Sequence, residues 1–260
     1  MIDYAISYSE LEFFLCIFVR VASFVFVAPF FSQRGIPRQV KIALSLFIAG
    51  LLYGVIDEHP SLVYESVYGY AIIIMKEVLT GLIIGYAASI CYTVVDFAGR
   101  IIDMETGLSM ANLIDPNTGQ SSSITGVMYQ YAVMLMLLLT GMHRYLISAL
   151  SETFILIPVN GAIFNTDSLL EAILTFMKDY ITIGFRICLP VFAVMLLLNA
   201  ILGVMAKVSP QMNMFSVGMQ IKVLVGLCVL FFTVNMLPSV SNFIFTEMKT
   251  MVATFVSTMI

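Results

Sequence analysis

Val67-Tyr-Gly-Tyr-Ala-Ile-Ile-Ile-Met-Lys-Glu-Val-Leu-Thr-Gly-Leu-Ile-Ile-Gly-Tyr-Ala-Ala-Ser-Ile-Cys-Tyr-Thr-Val-Val95 is an almost unbroken apolar run. It is too long and too continuously apolar for a barrel strand, which would alternate over about ten residues. In lipid, only helices and closed barrels satisfy their own backbone donors and acceptors. The segment therefore reads as helix, longer than the roughly 20 residues that one crossing needs. Two features interrupt its apolar surface. Lys76 and Glu77 stand side by side within it, and Gly81, Gly85 and Ser89 recur every fourth residue, which puts them on one helix face.

Working outward, apolar runs cover Leu11 to Phe31, Ile42 to Ile56, Ile124 to Pro158, Tyr180 to Ala206 and Met212 to Leu237. A weaker amphipathic run, Val240 to Ile260, closes the chain. The run from Ile124 is broken at Thr140-Gly141-Met142-His143-Arg144, which predicts a hairpin or broken helix. The expectation is an all-α polytopic membrane protein of helical hairpins and broken helices. It has about six hydrophobic segments plus a C-terminal amphipathic helix, and residues 1–260 form a single membrane domain.

Composition agrees. The chain is 60% hydrophobic and 11% charged, with mean hydropathy +1.01, whereas soluble domains run at roughly 45–50% apolar and about 25% charged. The net charge of −4 is spread out, and no Lys/Arg cluster offers a nucleic-acid surface. Cys16, Cys91, Cys188 and Cys228 each lie in apolar runs without CxxC spacing, which reads as packed thiols rather than metal or redox chemistry. The acidic N-terminus, with Asp3, Glu10 and Glu12, does not resemble a cleavable signal peptide. Arg34, Arg38 and Lys41 place the loop after the first run in the cytoplasm by the positive-inside rule.

The one extended polar interruption is Asp96 to Ser123. It reads as a functional loop, because Gly107 to Ile114 alternates small and apolar side chains. Met104 and Met110 fall here, where apolar filler is not needed. Asp103 and Glu105 are close carboxylates, but on a flexible loop nothing evident would bury one of them. Elsewhere, Arg20, Lys76, Glu77, Arg186 and Lys222 lie inside apolar runs, where each would cost several kcal/mol facing lipid. They read either as a transport pathway or as pairs made with a neighbouring helix or partner subunit, and only Lys76 and Glu77 bring a counter-charge of their own. Two further stripes, Gly218-Lys222-Gly226 and Asn199-Gly203-Lys207, match the first and predict close helix packing. No HExxH, GxSxG, P-loop or dinucleotide fingerprint accompanies His59 or His143, so no catalysis, metal or cofactor is expected.

Taken in order, these residues carry a resemblance. Arg20-Val-Ala-Ser-Phe-Val-Phe-Val-Ala-Pro29 and Arg34-Gly-Ile-Pro37-Arg38 open the set. Gly99-Arg-Ile-Ile, Gly107-Leu-Ser-Met-Ala, Asp115-Pro116, Gly141 with His143, and Ile157-Pro158-Val-Asn-Gly161 continue it. Asn199-Ala-Ile-Leu-Gly203, Lys207-Val-Ser-Pro210-Gln211, Phe215, Gly218 and Lys222 complete it. The set covers nearly the whole chain and resembles the FliR/SctT/SpaR family of type III export-gate subunits. The chain departs from many members at Glu105-Thr106 and at Gly218-Met219-Gln220.

The resemblance implies a core subunit of the flagellar export gate, in the bacterial inner membrane at the flagellar basal body. Its implied partners are FliP-like and FliQ-like membrane subunits, an FlhB-like subunit, membrane lipid and unfolded export substrates, with no nucleic acid and no cofactor. It also implies a FliP-like part over about residues 1–178, a FliQ-like part over about 179–260, and helices raised out of the bilayer plane. The loop Thr106 to Ser123 becomes a closing plug centred on Gly107, Leu108, Ser109, Met110, Ala111, Asn112, Leu113, Ile114, Asp115 and Pro116. From the apolar runs and small-residue stripes themselves, Arg20, Lys76, Glu77, Arg186, Asn199, Gly203, Lys207 and Lys222 are expected to be buried-charge and packing positions. Two other readings stay open: an injectisome subunit of the same family, and a stand-alone secondary transporter coupling through Lys76, Glu77 and Arg186.

Overall fold

The computed structural model describes residues 8–33, 35–56, 62–64, 66–111, 113–114, 121–209, 211 and 214–260. Eight α-helices occur among them: α1 Tyr8–Val27, α2 Arg38–Val55, α3 Val67–Thr106, α4 Ile124–Leu139, α5 Met142–Leu156, α6 Thr166–Val208, α7 Met214–Thr233 and α8 Leu237–Ser257. The all-α expectation holds. One small departure is a two-residue antiparallel pair, β1 Leu113–Ile114 with β2 Ser121–Ser122.

Helix boundaries correct the sequence reading in two places. The polar interruption is not loop from Asp96 onward, because α3 continues to Thr106. Likewise α6 starts at Thr166, ahead of the apolar run at Tyr180, and carries Pro190 inside it. Helical pairing needs no apolar surface, so a hydropathy window stops where charges begin while the backbone ladder continues. The break near Gly141 is as expected. Gly141 takes φ +71°, and at the end of α4 the Thr140 hydroxyl donates back to the Met136 carbonyl at 2.8 Å.

Among the described residues, four helical stretches are long and apolar enough to cross a membrane: Arg38–Val55, Val67–Thr106, Thr166–Val208 and Ser216–Ser257. The broken pair α4 and α5 makes up to five if it counts as one crossing. α3 and α6 have 40 and 43 residues, so each is about 60 Å long or more at 1.5 Å per residue. That is about twice the hydrocarbon thickness of a bilayer. Part of each helix must extend beyond the lipid core.

The chain forms two compact units. The first comprises Met1–Ile90, Gly141–Thr175 and Glu247–Ile260. In it, α1 buries Phe13, Cys16, Ile17, Arg20, Val21 and Phe24, one helical face by their spacing. That side packs on α2, where Phe13 and Phe14 meet Tyr53. Gly81 and Gly85 of α3 lie against the α1 backbone. A methyl group at Gly81 would come within 2.3 Å of the Arg20 carbonyl oxygen. The first glycine stripe is therefore a contact within this chain.

The second unit comprises Cys91–Thr140 and Phe176–Thr246. Val94, Val95, Ala98 and Ile102 of α3, Val133 and Leu137 of α4, and Val191 and Met195 of α6 are all buried. α3 and α4 touch backbone to backbone, and a Cβ at Gly99 would fall 2.2 Å from the Gly126 Cα. Tyr129 of α4 shares a 3.3 Å hydrogen bond with Thr233 of α7.

Candidate functional site

Two clusters, one in each unit, gather many of the predicted residues, while Lys76, Arg186 and Lys207 stand outside both. In the first, Arg20 is completely buried on α1 and does not stand alone. Its Nε donates to Glu77 Oε2 at 2.5 Å, and both side chains are fully inaccessible. Its Nη1 donates to the carbonyls of Ile157 at 2.9 Å and Thr153 at 3.4 Å. The last carbonyls of a helix have no partner within the helix, so Arg20 serves as a side-chain cap on α5 and favours its negative end. The guanidinium also lies 4.3 Å from the Phe154 ring centroid. Glu77 completes the cluster by accepting from the Asn160 backbone N–H at 2.9 Å.

This corrects the pairing expected of Lys76 and Glu77. Neighbours in a helix point about 100° apart, so Glu77 turns inward to Arg20. Lys76 is half-buried and makes no ion pair among the described residues. Arg186 is exposed, with its guanidinium 5.3 Å from the Phe243 ring centroid. Lys207 is exposed as well.

The second cluster surrounds the start of the loop. α3 ends at Thr106, and Gly107 follows at φ +82°, a left-handed turn that suits glycine. Leu108–Ala111 then form one 3₁₀ turn, which presents Ser109 and Met110 to a recess of about 470 Å³. Asn199 and Gly203 of α6 and Lys222 of α7 line the same recess, together with Met104 and Glu105. Six predicted positions from three separate stretches thus meet at one place. Leu108 is half-buried, while Met104 and Met110 are 72% and 71% exposed. Asn112, Asp115 and Pro116 lie outside the described residues. A methyl at Gly226 would meet Thr106, whereas Gly203 has nothing within 4 Å. Of the two later stripes, one packs within the unit and the other presents an open face.

Sequence reasoning missed the base of the loop. Asp103 is 3% exposed, contrary to the expectation of an unburied carboxylate on a flexible loop. It accepts from the Ser123 hydroxyl at 2.7 Å and the Thr125 hydroxyl at 2.5 Å, and from the Thr125 N–H at 3.3 Å. Ser123 is also the N-cap of α4, its oxygen accepting from the Gly126 N–H at 2.8 Å. A Ser just before an apolar helical run was the available signal. Its pairing with an acid twenty positions earlier was not readable from spacing.

The family model for bacterial export proteins, family 1, matches residues 11–248. The chain belongs to that family. Among its relatives, the flagellar biosynthetic protein FliR of Bacillus subtilis is 32% identical over 219 residues, covering 84% of each chain. FliR of Escherichia coli is 27% identical over 245 residues, covering 92% of this chain and 90% of its own. FliR of Aquifex aeolicus is 29% identical over 214 residues, covering 82% and 81%. This bacterial export protein is accordingly a multi-pass membrane component of an export apparatus. These relatives are flagellar biosynthetic proteins.

Proposed function

We propose that this export protein is a core subunit of the flagellar type III export gate in the bacterial inner membrane, and that its loop 106–123 is the plug that closes the channel. FliP-like and FliQ-like subunits, with an FlhB-like subunit alongside, complete the assembly, and unfolded polypeptide is the cargo. One arrangement carries the reading. The loop leaves α3 through the left-handed Gly107 and enters a recess shared with Asn199 and Gly203 of α6 and Lys222 of α7. Met104, Met110 and Met219 line that recess. Methionine is flexible enough to repack as the loop moves, and an apolar constriction resists ions by dewetting.

The FliP-like and FliQ-like halves, about 1–178 and 179–260, belong to the same proposal. A stand-alone transporter is less well supported, because both Glu77 oxygens already have partners in Arg20 and the Asn160 N–H. Neither oxygen is left to shuttle a coupling ion.

The test is deletion of residues Gly107 to Gln120 in cells that carry the assembled complex, with ion leakage as the readout. Increased leakage supports the plug. Unchanged leakage with assembly intact refutes it.

A further inference from the structure

The base of the loop has a construction that the plug reading alone does not require. Three observations within the second unit bear on it. Thr106, the last residue of α3, is fully buried; its hydroxyl donates to the Ile102 carbonyl at 2.9 Å and its methyl lies under Gly226. One turn earlier, Asp103 gathers the Ser123 and Thr125 hydroxyls and the Thr125 N–H. One further turn back, Gly99 and Gly126 bring the two helix backbones into contact. The chain that leaves at Gly107 and the chain that returns at Ser123 are thus joined at their roots. All the groups involved are 6% exposed or less: Asp103, Thr106, Ser123 and Thr125.

Hydrogen bonds to a carboxylate are among the stronger ones, and low local dielectric strengthens them further. Separating the roots would break these bonds together and leave the Asp103 carboxylate without its partners. The left-handed backbone at Gly107 lies immediately beyond the joined region. Its neighbourhood is open, with nothing nearer than Met219 Cγ at 3.9 Å from an added Cβ.

We propose that Asp103 is a positioning residue of the gate. It holds the two roots of the loop together, so that α3 and α4 keep their pairing through the export cycle. The proposal rests on the plug reading, and it predicts that a gate with loosened roots seals poorly even when its loop is intact.

The experiment measures ion leakage per assembled complex, normalised to complex yield, in cells carrying the full apparatus. Asp103→Ala is expected to raise leakage several-fold, towards the level of the Gly107 to Gln120 deletion. Asp103→Asn should fall between, since its amide oxygen still accepts from a hydroxyl. Thr125→Val removes one arm and tests the idea if Asp103→Ala fails to assemble; Thr125→Ser retains the hydroxyl and should behave as the parent chain. A purely structural role lowers yield without changing leakage in the complexes that remain, and that result overturns the proposal. If the deletion leaks while Asp103→Ala and Thr125→Val both seal, the latch fails and the plug stands. If the deletion also seals, both fall.

Discussion

Replacing Glu77 by alanine removes the carboxylate that faces Arg20 and leaves a guanidinium with no accessible surface. Breaking a buried ion pair from one side costs about 3–5 kcal/mol, because the remaining charge stays uncompensated. Losing the bond from the Asn160 N–H adds about 1 kcal/mol. The expected loss is therefore about 4–6 kcal/mol, or about three to four powers of ten in the folded-to-unfolded ratio. Arg20→Ala should cost at least as much, since it strands Glu77 and uncaps the α5 carbonyls. The double variant Arg20→Met/Glu77→Gln removes both charges and keeps an acceptor for Asn160. It should recover at least half of the single-variant loss, as buried pairs replaced by neutral groups often do. The assay is denaturant titration of the purified chain in mild detergent, with helical circular dichroism as the signal. A Glu77→Ala cost below about 1 kcal/mol, the value of an exposed pair, would refute the reasoning. So would a double variant whose loss equals the sum of the singles.

Glycine positions give a paired prediction. Gly99→Ala forces a methyl onto the Gly126 backbone and should cost about 3 kcal/mol in the same titration, whereas Gly203→Ala meets open space and should stabilise the isolated chain by up to about 1 kcal/mol through helix propensity. Tyr64, on the segment between α2 and α3, donates to the Glu12 carboxylate, and that hydrogen bond is the main reason its phenol is pushed up to about 12. The sign follows directly: the contribution is complete below the usual phenol value near 10 and is lost as pH rises through the folded value. Ultraviolet difference titration against Tyr64→Phe should find this phenol ionising well above the usual value, and Glu12→Gln should lower it.

Hydropathy alone determined that the chain is helical and made for a membrane. Runs such as Val67 to Val95 have no other way to satisfy their backbone in lipid. The break at Gly141, the glycine face of α3 and the unusual composition around Gly107 were legible for the same local reason, since each depends on spacing along one segment. Partnerships across the fold were not. Adjacent Lys76 and Glu77 looked like a pair, yet helical geometry sends Glu77 to Arg20, fifty-seven positions away. Asp103 looked like a solvated loop acid, yet α3 runs past it and carries it to Ser123 and Thr125. Sequence spacing encodes which face of a helix a residue occupies, but not which other helix meets that face. The recess that gathers Gly107, Asn199 and Lys222 exists only because packing joined three stretches that share no local signal. Local sequence sets the helices and the solvent they are built for, while the pairing of charges is a property of the contact between helices.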